Sequence, residues 1–209
     1  MMTPNVVLPG GFSLGEDKDD SDQKPGGGDF VAKGLHEQRI VMLAKPVDRD
    51  LMSDVTAQLL LLNSEDSKAP ITMFVNCPGG DADSGFGIFD AMRFVDAPIT
   101  TVCMGLAASA AIIIFLGGVR GRRFVMPNSR FMIHQPSTQS QGTASDLEIT
   151  AEEIEKLRSQ YNGIIAKETG KTSKQILKDA HRDFWLTADE AVEYGLATKV
   201  VKSLKELKI

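Results

Sequence analysis

Ile99-Thr100-Thr101-Val102-Cys103-Met104-Gly105-Leu106-Ala107-Ala108-Ser109-Ala110-Ala111-Ile112-Ile113-Ile114-Phe115-Leu116-Gly117-Gly118-Val119 is the stretch on which the fold turns. No charged residue lies between Asp96 and Arg120, so the run is long enough to span a bilayer. Its composition argues against that use. Pro98, Thr100, Thr101, Gly105, Ser109, Gly117 and Gly118 interrupt it, and its β-branched start gives way to a small-residue run suited to a helix. A buried strand followed by a buried helix is the expected structure, and no membrane segment is expected.

Outward from this unit, short apolar runs alternate with longer segments of helical spacing from Arg39 onward. That is the pattern of β-α units around a largely parallel, buried sheet. The strands are expected at Ile40–Leu43, Ile71–Val75, Ile99–Cys103, Phe124–Met126, Phe131–His134 and Ala197–Val201. Between Val47 and Asn63, the residues Leu51, Val55, Leu59 and Leu62 form one helical face. Ser145-Asp146-Leu147-Glu148 has the form of a capping box. It is expected to open a long helix to Thr169, with Ile154, Leu157, Tyr161 and Ile164/Ile165 on one side and Gly170 as its stop. Thr187-Ala188-Asp189-Glu190 repeats the capping box for a short last helix.

Residues 1–28 differ in composition from the rest. Gly10-Gly11, Gly15 and Gly26-Gly27-Gly28, three prolines and the acids Glu16, Asp17, Asp19, Asp20 and Asp22 leave little apolar surface to offset the entropy of ordering them. A flexible acidic tail over 1–28 and one folded domain over 29–209 are expected. The chain of 209 residues carries 23 Lys+Arg against 28 Asp+Glu and is 42% apolar. It can therefore build a substantial core without disulfides or a structural metal, and it lacks the basic excess of a nucleic-acid binder. Cys77 and Cys103 stand alone among apolar residues, as buried thiols do in a reducing compartment. The N-terminus has no basic region before Val6-Val7-Leu8, so no signal peptide and a cytoplasmic location are expected.

Three segments carry possible chemistry. Asn76-Cys77-Pro78-Gly79-Gly80 follows a strand, and paired glycines there let the backbone approach a ligand and present N–H groups to an oxyanion, or simply make a tight turn. Ser109 sits among small residues where a strand turns into a helix, accessible to a substrate. It lacks the G-x-S-x-G elbow, and a serine bonded back to a helix carbonyl fits the same residues. Of the three histidines, His36 and His181 lie in polar surroundings, whereas His134 ends a strand and precedes Gln135-Pro136. Ser109, His134 and Asp183 supply a nucleophile, a base and an orienting acid. Their spacings of 25 and 49 residues do not single out Asp183 among many acids.

Over about four fifths of its length, from Leu35 to Val201, the chain resembles the proteolytic subunit of the ATP-dependent Clp protease, the ClpP family of serine peptidases. The resemblance rests on Asn76-Cys77-Pro78-Gly79-Gly80, Met104-Gly105-Leu106-Ala107-Ala108-Ser109 and Pro127 to Pro136. Asp146-Leu147-Glu148-Ile149, Arg182-Asp183 and Glu190 to Leu196 add to it. It implies the spiral β-α superhelix shared with crotonases, in which the long helix and the strand before it form a protruding handle. It also implies a catalytic triad of Ser109, His134 and Asp183, with an oxyanion hole from the backbone N–H groups of Gly80 and Ala110. The assembly it implies is a tetradecamer of two stacked heptameric rings, or mixed rings with a paralogue. Unfolded polypeptides would be fed in by a separate AAA+ unfoldase that consumes the ATP, with no cofactor in this subunit.

Four departures from the family pattern bear on specificity and assembly. Ala110 stands where methionine usually follows the nucleophile. Ser137-Thr138-Gln139-Ser140 replaces a glycine-rich segment, and the N-terminal region lacks the usual axial-loop pattern. His181 precedes Arg182, whose contact across the ring interface usually has an acidic neighbour in the family. They motivate an alternative, a divergent paralogue that is weakly active or non-catalytic. An acyl-CoA enzyme of the crotonase type shares the fold but needs no Ser-His-Asp set.

Overall fold

The computed structural model describes residues 27–207. Helix α1 (Gly27–Glu37) leads into strand β1 (Ile40–Leu43), followed by α2 (Arg49–Glu65), β2 (Ile71–Cys77), α3 (Ala82–Phe94) and β3 (Ile99–Ala108). Helix α4 (Ala110–Leu116) precedes β4 (Arg123–Val125) and β5 (Arg130–Ile133). Then come the long α5 (Ala144–Thr169), α6 (Ser173–Asp179), β6 (Phe184–Thr187), α7 (Ala188–Tyr194) and β7 (Lys199–Val200). The tail expected over 1–28 falls outside the described residues, apart from Gly27 and Gly28 in the first turn of α1.

The strands form one sheet in the order β1-β2-β3-β4-β7, with β5 paired to both β3 and β6. Every pairing is parallel except β5 with β6. Strand β3 organises the sheet because one of its edges serves two partners in succession. Thr101–Cys103 pair with β4, and Leu106–Ala108 pair with β5. At the changeover, the buried Ser129 hydroxyl accepts from the Gly105 N–H at 2.9 Å and donates to the Cys103 carbonyl at 3.0 Å. Both backbone groups are thereby satisfied where the ladder is interrupted. Gly105 has φ 96°, and a Cβ there would lie 2.9 Å from Asn76 Oδ1.

Packed against this sheet is α4, all seven of whose residues are buried. Phe115 meets Phe131 of β5 edge-on, with ring centroids 5.0 Å apart. The uncharged run from Ala97 to Val119 is thus a buried strand and a buried helix, and among the described residues no helix is long and apolar enough to cross a membrane.

Several boundaries differ from expectation. Strand β3 continues past Cys103 to Ala108, because Leu106–Ala108 find ladder partners in β5, and Ala107 one in β2, that small-residue propensity does not encode. Likewise β2 runs on through Asn76 and Cys77. Helix α2 starts at Arg49 with Asp48 as its cap. Val47 instead bridges to Gly80. The capping box of α5 is Thr143 with Asp146, not Ser145 with Glu148. Two overlapping Ser/Thr-x-x-acid frames compete there, and Thr143 holds the extended cap backbone. The box Thr187/Glu190 and the left-handed stop at Gly170 are as expected.

Helix α5 has 26 residues, about 39 Å of rise. None of them is buried before Tyr161, and Leu147 and Ile149 are exposed. It projects as the handle helix expected of it, but residues 134–143 before it form no strand, so the strand expected to share the handle is absent among the described residues. Near its base, Glu168 receives Arg93 at 3.0 Å, Arg120 at 3.4 Å and the buried Arg123, pinning α5 to α3, to the loop after α4 and to β4. Burial raises the Glu168 pKa, but the hydrogen bond and charge of Arg123, with Arg93 and Arg120, hold it below its usual 4.5. Because the folded-state value is depressed, the stabilisation is present above the unfolded value and is lost as pH falls through the folded one. Glu168→Gln leaves the Arg123 charge buried and uncompensated. It is expected to cost about 3 kcal/mol at pH 7, measured by denaturant unfolding, with the gap to wild type closing as pH drops below 4.5.

Candidate active site

Ser109 is the one residue between the end of β3 and the start of α4, at φ 55° and ψ −125°. Such a backbone costs a non-glycine residue about 1–3 kcal/mol, so it has to be held. The Ser109 N–H donates to the Met132 carbonyl of β5 at 2.9 Å. Its carbonyl accepts from the Ile112 N–H at 2.9 Å and from the Tyr161 hydroxyl of α5 at 3.1 Å.

Next to the serine hydroxyl stands His134, immediately after β5, with Nε2 2.7 Å from Ser109 Oγ. Across from it is Asp183. The antiparallel register of β5 and β6 runs from Arg130↔Thr187 to Ile133↔Phe184, so the next pair beyond the ladder is His134 with Asp183. Their closest approach, Nδ1 to Oδ1, is 3.6 Å, longer than a hydrogen bond. The Asp183 side chain is 62% exposed. Arg182 beside it is exposed and forms no ion pair among the described residues. His181 is exposed as well, whereas His36 pairs with Glu65 at 2.8 Å far from this cluster in the chain.

The turn after β2 supplies the third side. Gly79 (φ 89°) and Gly80 (φ 150°) are held by Val47, whose N–H donates to the Gly79 carbonyl at 2.9 Å and whose carbonyl accepts from Asp81 N–H at 2.8 Å. A Cβ on Gly79 would sit 2.6 Å from both Ser109 Cβ and the Ala108 carbonyl. Glycine is required because the turn passes against the serine. Among the described residues, neither the Gly80 nor the Ala110 N–H donates to a protein acceptor. Two unpaired backbone donors beside a hydroxyl–imidazole pair can bind a developing oxyanion.

These groups line a cleft of about 510 Å³. Phe86, Ile113, Met132, Ile154, Leu157 and Tyr161 form its apolar wall, and Ser137 and Thr138 reach it from the segment after His134-Gln135-Pro136. Its ionisable side chains besides His134 and Tyr161 are the acids Asp81, Asp83 and Glu153. Hydrogen bonds from the Ser84 hydroxyl and N–H hold the Asp81 carboxyl below its usual range. Burial, with Tyr194 nearby, pushes the Tyr161 phenol up, so its proton stays available for donation. Burial also pushes Cys103 to about 12 and raises Cys77, leaving both as inert thiols. A second cavity of about 480 Å³, lined by Val102, Met126, Val201 and Leu207, contains Lys202 as its only ionisable side chain. It offers no nucleophile–base pair. Tyr161 is the part of the site that periodicity alone conceals, since spacing places it on an apolar face without giving its hydroxyl a use.

A family model described as Clp protease matches residues 27–204. The chain belongs to the Clp protease family. It is 43% identical over 194 residues to the ATP-dependent Clp protease proteolytic subunit 2 of Treponema denticola, covering 93% of this chain and 97% of that one. The protein of the same description from Frankia casuarinae is 46% identical over 84% of this chain and 81% of its own. Among solved structures, a point mutant of ClpP1 from Listeria monocytogenes matches with a TM-score of 0.79 at 37% identity, covering 85% of this chain and 99% of that one. The α/β fold expected from the resemblance is therefore the observed one, that of a ClpP-type peptidase.

The close approach of the Gly79 turn gives a direct test of the packing. Gly79→Ala is expected to destabilise by about 3 kcal/mol or more, since it combines a positive φ with a backbone clash. Gly163→Ala, in α5 with nothing within 4 Å of the added Cβ, is expected to be neutral or to stabilise by up to about 1 kcal/mol. Thermal unfolding of the two variants side by side checks the pair.

Proposed function

We propose that this chain is a serine endopeptidase, the proteolytic subunit of a Clp-type protease that degrades unfolded polypeptides. The observation that carries the reading is the 2.7 Å contact between Ser109 Oγ and His134 Nε2, beside two N–H groups unpaired among the described residues, in a cleft of about 510 Å³. In this mechanism Ser109 Oγ attacks the scissile carbonyl while His134 takes its proton, and the Gly80 and Ala110 N–H groups bind the oxyanion. Asp183 orients the imidazole and stabilises its charged form. The imidazolium then protonates the leaving amine, and the acyl-enzyme is hydrolysed by a water that His134 activates. The subunit needs no metal or nucleotide for this chemistry.

The assembly belongs to the same proposal. The exposed handle with Leu147 and Ile149 suits a ring–ring interface, and Arg182 beside Asp183 suits a ring contact that reaches the triad. Rings of this kind, homomeric or mixed with a paralogue, would take substrate from an AAA+ unfoldase that uses the ATP, in the cytoplasm. The 3.6 Å separation of His134 from the exposed Asp183 favours a second reading for the isolated chain, a weakly active subunit whose acid closes on the imidazole only when the neighbouring surface is covered.

Hydrolysis of a fluorogenic peptide, with Ser109→Ala in parallel and native mass recorded on the same samples, tests both readings. Turnover that falls by about 10⁶-fold, to background, in Ser109→Ala at unchanged mass is the expected result. Turnover that survives in Ser109→Ala, or its absence from wild-type rings even with a partner subunit and unfoldase added, overturns the enzymatic reading.

A further inference from the structure

The Tyr161 hydroxyl and the Ala110 N–H act on opposite edges of one chemical unit. The Ser109 carbonyl and the Ala110 N–H belong to the same peptide plane, which is rigid, so turning one turns the other. In a trans peptide they point in opposite directions. The carbonyl edge is gripped by the Ile112 N–H at 2.9 Å from within α4 and by Tyr161 Oη at 3.1 Å from α5. The N–H edge is unpaired among the described residues and lines the cleft. A hydrogen bond to an amide carbonyl also polarises the amide and strengthens its N–H as a donor. The plane needs holding, because it follows a residue at φ 55°.

We propose that Tyr161 is a positioning residue for the oxyanion site: through the Ser109 carbonyl, its hydroxyl fixes the aim and donor strength of the Ala110 N–H. This rests on the reading of Ser109 as nucleophile. The Tyr161 hydroxyl hydrogen-bonds neither the nucleophilic oxygen nor the base; it acts through the peptide that joins Ser109 to Ala110. The rival role is that of a wall residue that fills the cleft with its ring.

Tyr161→Phe separates the two roles, since it keeps the ring and removes only the hydroxyl. The Ser109 carbonyl retains the Ile112 N–H, so native mass and melting behaviour are expected to stay near wild type. The kinetics and binding are measured on the assembled fraction. The expected result is a fall in kcat/KM of about tenfold, below the ~10²–10³-fold of losing an oxyanion donor outright, carried by kcat with KM unchanged. Affinity for a peptide boronate, whose adduct with Ser109 places an oxygen in the oxyanion site, should fall by the same factor, while affinity for a cleavage-product peptide stays constant. Unchanged kcat, or boronate and product affinities that weaken together, assigns Tyr161 to the wall and overturns the proposal. A wild type with no Ser109-dependent turnover and no boronate adduct is a different failure, removing the nucleophile reading and this inference with it.

Discussion

The structure depends on holding one residue, Ser109, in a backbone conformation that it would not adopt by itself. Three elements supply the grip, two of them distant in sequence: β5 through the Met132 carbonyl and α5 through the Tyr161 hydroxyl, with the adjoining α4 through the Ile112 N–H. Each of these bonds repays part of the local strain and fixes one direction of the junction. The strained turn is therefore held jointly by the sheet, the buried helix and the long helix. This links the global fold to the geometry of one side chain and explains why small residues surround it. The turn at Gly79 comes so near that even a methyl group there would strike Ser109 Cβ.

Much of this was legible in the sequence, and what was hidden has a physical pattern. The alternation of apolar runs marked out the parallel strands and the α/β class, because burial on both faces of a sheet leaves a mark on every residue of the strand. The extension of β3 to Ala108 and the existence of β6 were not legible, since both depend on pairing partners far along the chain. Strand β6 has a half-exposed Trp185 and an exposed end, so its residues carry little burial signal. Yet its register with β5 is what brings Asp183 to His134. Sequence spacing could not choose among the acids; the motif Arg182-Asp183 could, through the family pattern alone. The true capping residue of α5 was missed for a local reason, two overlapping frames a pair of residues apart.

The acid of the site is the component that the single chain holds least firmly. Ser109 and His134 are set by β3 and β5 in the middle of the sheet, whereas Asp183 lies in an exposed turn between α6 and β6. A shift of less than an ångström would turn the 3.6 Å approach into a hydrogen bond. A contact that covers Arg182 and Asp183 could supply that shift, which gives assembly a physical route to the chemistry. The handle offers a second route, since Tyr161 is the first buried residue of a helix whose earlier part is free to meet another subunit.

The central claim is that Ser109 is an activated nucleophile. Its most direct test is reaction of the assembled protein with a fluorophosphonate, followed by peptide mapping of the adduct by mass spectrometry. The account predicts one phosphonyl group per subunit, on Ser109 Oγ, and none in a His134→Ala variant under the same conditions. An adduct on another residue, or labelling of Ser109 that is indifferent to His134, would contradict it.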